Sequence, residues 1–459
     1  MSTLRMFKIL KLRNNNVYGK RLLSTLTTKD AGYYDVIIGG GGLVGTSLLV
    51  SLAKNETLCN KKILMLEGAP EYKPQSRSTY SNRVSAINKQ SVQLLKSINT
   101  WDFIESIRQK PVLEMMVWDA ISGESINFNH PNFSDSVACI VENDLMLEAM
   151  YRQLNDLPNV KIMNEAKIDN CLLPKDGAEK SEVTLKSGEK FTCDLLVGAD
   201  GFNSTIRKAM DVDNYTVMYK QMGVVATLEL DTSECPGNTV AWQKFLSTGP
   251  IALLPLTDNL SSLVWTTTYE NARELLKMSP SEFVDSLNEA FSKDYRNNSL
   301  VNNVMKFVDT VSPFKSNQML PTPPKVINVQ NGSRAQFPLG FGHASSYACK
   351  GAVVIGDAAH RVHPMAGQGV NLGYGDVLKL TEVLAEATYN GSNLNDIQYL
   401  LKYEQARLRA NLPIMLGVHA LQRIYCNDFA PLVLARSLGV KFTNSVPPIK
   451  KFFMEKAMA

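Results

Sequence analysis

The chain has 459 residues, 44% of them hydrophobic and 20% charged, and a formal charge of +4. This is the composition of a globular protein long enough for two domains or one large composite one, and it argues against a disordered chain. No run of about eighteen apolar residues argues for a spanning helix, and no repeat period suggests a solenoid.

Charge is distributed unevenly from the start. Residues 1–29 carry Arg5, Lys8, Lys11, Arg13, Lys20, Arg21 and Lys29 and no acid. Taking those seven charges from +4 leaves the remainder acidic by three, so the body gives no sign of nucleic-acid binding. An acid-free terminus of this kind reads as a mitochondrial targeting segment. Arg21-Leu22-Leu23-Ser24 resembles a matrix-protease cleavage site, which puts the mature start near Ser24. Seven scattered cysteines, odd in number and without a CxxC pair, fit a reducing compartment and buried thiols.

The next stretch, DVIIGGGGLVG at 35–45, predicts a short buried strand, a glycine turn and a packed helix from Leu43. Gly40, Gly42 and Gly45 satisfy GxGxxG. The first allows a tight turn, the second lets backbone approach a pyrophosphate, and the third lets helix pack on strand. KKILMLE follows as a second strand ending in Glu67, placed to hold a ribose hydroxyl pair. Strand, glycines, helix, strand and acid together point to a dinucleotide site, with NAD and FAD both open. Gly39 stands where a larger residue usually ends the first strand.

Further on, LLVGADGFNSTIR at 195–207 predicts a buried strand, an Asp-Gly turn and a helix start. Ala352–Ile355 is another buried strand, with Gly356-Asp357 at its carboxyl end, where ligands of open α/β sheets collect. Asp357 is suited to accept hydrogen bonds from polyol hydroxyls. Pro364 stiffens the following loop, Gly367 and Gly369 remove side chains where a planar ring approaches, and Gln368 lies between them. A helix from Gly369 would turn its N–H groups toward a partly negative ring edge. His360, His363 and Asp357 also raise a metal reading. Pro364 and the glycines argue against the regular helix that would align the histidines, and no glutamate adjoins His360 as in HExxH. No metal is expected, and His360 is read as hydrogen-bonded support.

Taken in order, GxGxxG at 40–45, GADGxxSxxR at 198–207 and GDAAH…P…GQG…N at 356–371 resemble the FAD-dependent aromatic monooxygenases built like para-hydroxybenzoate hydroxylase. NRVSAINKQSVQLL, QKFLSTGPIALLPL, FPLGFGHASSY and LARSLGVKFTNSVPPIKKFF narrow the likeness to the mitochondrial ring hydroxylases of ubiquinone biosynthesis. The resemblance implies an α/β fold. In it a Rossmann-like FAD domain (30–110, 140–215 and 335–400) interleaves with a mixed or antiparallel substrate domain (111–139 and 216–334), and a helical region (401–459) follows. It implies FAD held by Gly40, Gly42, Gly45, Glu67, Arg83, Asp200, Asp357, Pro364, Gly367, Gln368 and Gly369. It also implies C5 hydroxylation of a polyprenyl-4-hydroxybenzoate by way of a flavin C4a-hydroperoxide, with no side-chain nucleophile. The implied partners are dioxygen, a ferredoxin with its reductase, and other ubiquinone-biosynthesis proteins. The implied place is the matrix face of the inner membrane, held peripherally. A dehydrogenase on the same fold and a non-catalytic scaffold binding a prenylated partner are the competing readings; the intact glycine and aspartate positions argue against the scaffold.

Overall fold

In the computed structural model the described residues are 32–129, 136–155, 157–174, 180–233, 237–293, 295 and 322–446. The targeting segment, its cleavage site and Lys450–Phe453 lie outside the described residues.

The first sheet is built on continuous apolar runs. Ile63–Leu66, Gly32–Gly39, Lys190–Gly198 and Ala352–Val354 lie side by side, all parallel, with Val160–Met163 extending one edge and Ala348–Cys349 the other. Val36, Ile37, Ile38, Leu64, Leu196 and Val353 are almost wholly buried. Such runs are expected where helices cover both faces of a parallel sheet. Two of those helices, Leu43–Lys54 and Gln368–Tyr389, pack together. Gly373 makes this possible, because a Cβ there would stand 2.5 Å from Val44 Cγ2.

The second sheet has nine strands and is antiparallel except where Val240–Leu246 runs beside Glu114–Asp119. Its spine is the 17-residue strand Asn214–Leu230, paired with Leu260–Thr268 on one side and Ala335–Ala344 on the other. A small third sheet joins Val84–Ile87, Ala138–Glu142 and Lys110–Val112. After the Gln368–Tyr389 helix the chain forms Ile397–Tyr425 and Ala430–Ser445. Asp396 caps the first by accepting from Gln398 N.

Two sequence expectations need correction. Ala335–Ala344 was assigned to the cofactor domain from 335, but it hydrogen-bonds the spine of the second sheet over most of its length. Residues 110–112 and 138–142, divided between the two domains, belong to the small third sheet. Gly223–Leu230, within the spine strand, is buried along nearly its whole length. Helices Tyr269–Lys277 and Pro280–Ser292 lie in the same apolar cluster as that strand, and a sequence period cannot register a cover supplied from elsewhere in the chain.

Candidate cofactor and substrate site

The three motifs meet because the parallel strands end in register. Gly39 is opposite Gly198 and Leu66, and Gly198 is opposite Val354. The chain just past that edge supplies Gly40–Gly42, Glu67, Asp200 and Gly356-Asp357, which come from four distant stretches of sequence.

The glycines of the first turn have different causes. Gly40 has φ +105°, and a Cβ there would fall 2.3 Å from Ala199 O. A Cβ on Gly45 would fall 2.0 Å from Gly40 O. The protein itself forbids side chains at both. Gly42 is the N-cap of the Leu43–Lys54 helix with φ −71°, and no protein atom lies within 4 Å of where its Cβ would stand. Its surroundings therefore leave room for a ligand at the positive end of a helix. Gly39 also finds its reason here, since a Cβ would press to 2.6 Å from Ile206 Cδ1 and 2.7 Å from Ile168 Cδ1.

The acids sit around this turn. Glu67 accepts from Gly41 N and, at 2.7 Å, from Ala69 N, so it holds the glycine turn by its backbone. Asp200 Oδ2 accepts from Thr205 N at 2.7 Å and Ile206 N at 3.4 Å, and its Oδ1 is buried with no hydrogen-bond partner. An orphaned carboxylate oxygen beside an open glycine turn fits a ligand that brings donors. Asp357 is solvent-accessible but closely surrounded by protein, and burial pushes its carboxyl up from the ordinary value.

Two residues join these parts, the arginine that ends the second motif and an aspartate outside all three motifs. Arg207, 5% exposed, donates from Nη1 to Ala358 O at 2.5 Å and from Nη2 to Phe202 O at 2.6 Å, tying the second motif to the third. Asp376, fully buried, accepts from Gly356 N (2.9 Å), His360 Nε2 (2.6 Å), Arg407 Nε (2.7 Å) and Asn411 Nδ2 (3.2 Å). Burial alone would raise this carboxyl, but His360 and Arg407 outweigh it and hold it at about 2. The clue to Asp376 in sequence is an acid within the otherwise uncharged first half of the helix.

The loop from Pro364 begins as a 3-10 turn and ends at Gly367, whose φ of +60° suits glycine. The helix starts at Gln368, one residue before the expected Gly369; Gln368 is buried, and no atom lies within 4 Å of a Cβ on Gly369. Asn371 fastens the loop to the strand after Arg83 by donating to Ala86 O at 2.9 Å and accepting from Asn88 N at 3.1 Å. Arg83 is exposed at the head of that strand. The histidines do not converge as metal ligands. His360 faces Asp376, whereas His363 Nδ1 accepts from Met365 N at 3.2 Å. Among the described residues no cluster of three metal-binding side chains forms.

A cavity of about 390 Å³ opens beside this loop, lined by Tyr219, Gln221, Thr248, Gln422 and Cys426 among others. The Tyr219 ring meets the His363 ring edge-on at 5.4 Å, and Tyr219 OH hydrogen-bonds His419 Nδ1 at 2.7 Å. The cavity is thus one side chain from Pro364. A second cavity, about 300 Å³, lies against Tyr72, Asn82, Glu142 and Ser333, on the Arg83 side.

Comparison with known proteins agrees with this geometry. The sequence model of the family described as "FAD binding domain" matches residues 33–308 and 324–413. The protein named ubiquinone biosynthesis monooxygenase COQ6, mitochondrial, of Drosophila melanogaster is 53% identical over 429 residues, covering 93% of this chain and 90% of that one. The Homo sapiens protein of the same name is 42% identical over 433 residues, covering 92% of each. Among solved structures, pqsL of Pseudomonas aeruginosa, described as a probable FAD-dependent monooxygenase, superposes with a TM-score of 0.65 at 20% identity, covering 89% of this chain and all of that one. The p-nitrophenol 4-monooxygenase PnpA of Pseudomonas putida gives 0.67 at 16% identity, covering 94% and 99%. These two likenesses concern the fold.

Proposed function

The chain belongs to the mitochondrial ubiquinone-biosynthesis monooxygenases, a family of FAD-dependent aromatic monooxygenases, and from that premise we propose that it hydroxylates C5 of a polyprenyl-4-hydroxybenzoate. The observation that carries this reading is the convergence of three motifs on one sheet edge, where Gly42 leaves open space and Asp200 Oδ1 has no protein partner. Bound FAD supplies the electrons that activate dioxygen and delivers one of its oxygen atoms to an electron-rich ring.

The protein's part is placement and exclusion of water. Backbone N–H groups at Gly42 and the start of the Leu43–Lys54 helix face the pyrophosphate. Glu67, Arg83, Asp200 and Asp357 take the ribose, phosphate-side and ribityl contacts. Pro364, Gly367, Gln368 and Gly369 shape the space along the flavin ring. The ring of the phenol enters from the cavity at Tyr219. Met365, Phe245, Val418 and Tyr425 form an apolar cluster beside it that keeps water from the reacting atoms.

In this reading a ferredoxin with its reductase supplies electrons, other ubiquinone-biosynthesis proteins are partners, and the enzyme works peripherally at the matrix face of the inner membrane. The donor is tested by mixing purified holoprotein with reduced ferredoxin or NADPH and following loss of flavin colour. Rapid bleaching by ferredoxin alone is expected; rapid bleaching by NADPH alone contradicts this assignment.

A further inference from the structure

The outer surface of the two C-terminal helices changes character along its length. In the first part of Ile397–Tyr425 the exposed positions include Lys402, Gln405 and Arg409. Beyond Arg409 the exposed stripe becomes Pro413, Leu416, Gly417, Ala420 and Leu421, spaced i, i+3, i+4, i+7, i+8 on one helix face. Ala430–Ser445 repeats the pattern with Pro431, Ala435, Leu438, Gly439 and Phe442. Leu416 is 53% exposed, Phe429 between the helices 65%, and Phe442 60%.

Charge is sparse on this surface, and two of its four charges are turned inward while Arg423 and Asp428 stay exposed. Between Ala410 and Phe442 the charged residues are Arg423, Asp428, Arg436 and Lys441. Arg436 is buried on Asp119 at 2.9 Å, and Lys441 reaches Glu124 at 3.3 Å. Those contacts fasten the last helix to the second sheet and leave its apolar stripe facing out. An apolar face this extended marks an interaction site.

We propose that these two helices form a lipid-docking face that seats the molecule on an anionic phospholipid surface. The proposal rests on the reading of a polyprenylated substrate given above. A bilayer suits the face better than a second copy of the chain for two reasons. First, Gln422, Arg423, Cys426 and Asn427, at the junction of the two helices, line the cavity beside Tyr219, so a docked molecule turns that cavity toward the medium that dissolves a polyprenyl tail. Second, the exposed cations Lys220 and Arg423 stand at the same cavity. A rim of cations around an apolar face complements lipid phosphates.

The test is sedimentation of purified full-chain holoprotein with vesicles of phosphatidylcholine, with and without phosphatidylglycerol. Wild type should sediment with the anionic vesicles. The double variant Leu438→Ser, Phe442→Ser should bind them about tenfold or more weakly, since two large apolar side chains no longer enter the lipid. Its flavin absorbance, melting temperature and turnover of a short-chain soluble analogue should stay at wild-type values. Wild type that stays in the supernatant, or a variant that sediments equally well, overturns the proposal. So does a wild-type dimer that the variant converts to monomer with vesicle binding unchanged, which assigns the face to a second copy. Failure to hydroxylate any analogue, with vesicle binding intact, counts against the catalytic reading instead.

Discussion

Adding a methyl group at Gly42 and at Gly45, three residues apart in one turn, should harm the protein in different ways. Gly45→Ala forces a carbon against Gly40 O and should destabilise the flavin-free protein by about 3 kcal/mol or more. Gly42→Val places its Cβ with no protein atom within 4 Å, so flavin-free stability should stay within about 1 kcal/mol of wild type while FAD affinity falls by more than about tenfold. Thermal melts and flavin titration distinguish the two; a Gly42→Val protein with wild-type FAD affinity would place the pyrophosphate elsewhere. The motif assigns Gly40 to the turn, Gly42 to the pyrophosphate and Gly45 to helix packing, but the atoms that crowd Gly40 and Gly45, Ala199 O and Gly40 O, are visible only in the fold. His363 gives a second test. Burial lowers its imidazole from 6.5 to about 4, so the fold favours the neutral ring. That contribution is complete above pH 6.5 and is lost as pH falls toward 4; it amounts to roughly 3 kcal/mol. Wild type should lose melting temperature over that interval faster than His363→Asn. Parallel curves would show that His363 does not carry the effect.

At the scale of elements, strands and turns were legible and their fastenings were not. Ile63–Leu66, Lys190–Gly198 and Ala352–Val354 follow from short apolar runs ending in glycine or acid. Asp376 sits mid-helix in no recognised motif, yet it holds Gly356 N, His360 and Arg407 together. Asp376→Asn leaves Arg407 and His360 without their carboxylate in a buried place and should cost about 3–5 kcal/mol. It should also weaken FAD binding, since the Asp357 turn loses its anchor. Unchanged stability and affinity in Asp376→Asn would show that the turn holds its own shape. The loop before the helix makes a separate prediction. A Cβ on Gly369 has no protein atom within 4 Å, so Gly369→Val should remain folded and yellow. It should consume oxygen with peroxide release in place of hydroxylated phenol, because the loop shapes the space beside the ring. Product formed per oxygen consumed is the measurement, and unchanged coupling would place the loop away from the flavin.

Over the whole molecule, the α/β class and the three motifs that meet at one sheet edge were readable in chain order, whereas sheet membership was not. Ala335–Ala344 shows why: nothing local in that strand distinguishes pairing with the second sheet from a place in the first, and a partner more than 100 residues earlier decides it. The same spine strand carries Tyr219 and Gln221, which line the cavity, and Tyr219 meets His363 of the Pro364 loop in the proposed joint site. The central claim is that this joint site transfers an oxygen atom from dioxygen to a prenylated phenol. It is tested most directly by reducing the FAD-loaded protein, supplying a short-chain prenyl-4-hydroxybenzoate and isotopically labelled dioxygen, and reading the product by mass spectrometry and ring NMR. The account predicts one labelled oxygen atom at ring C5. An unmodified ring, or a hydroxyl oxygen drawn from water, would contradict it.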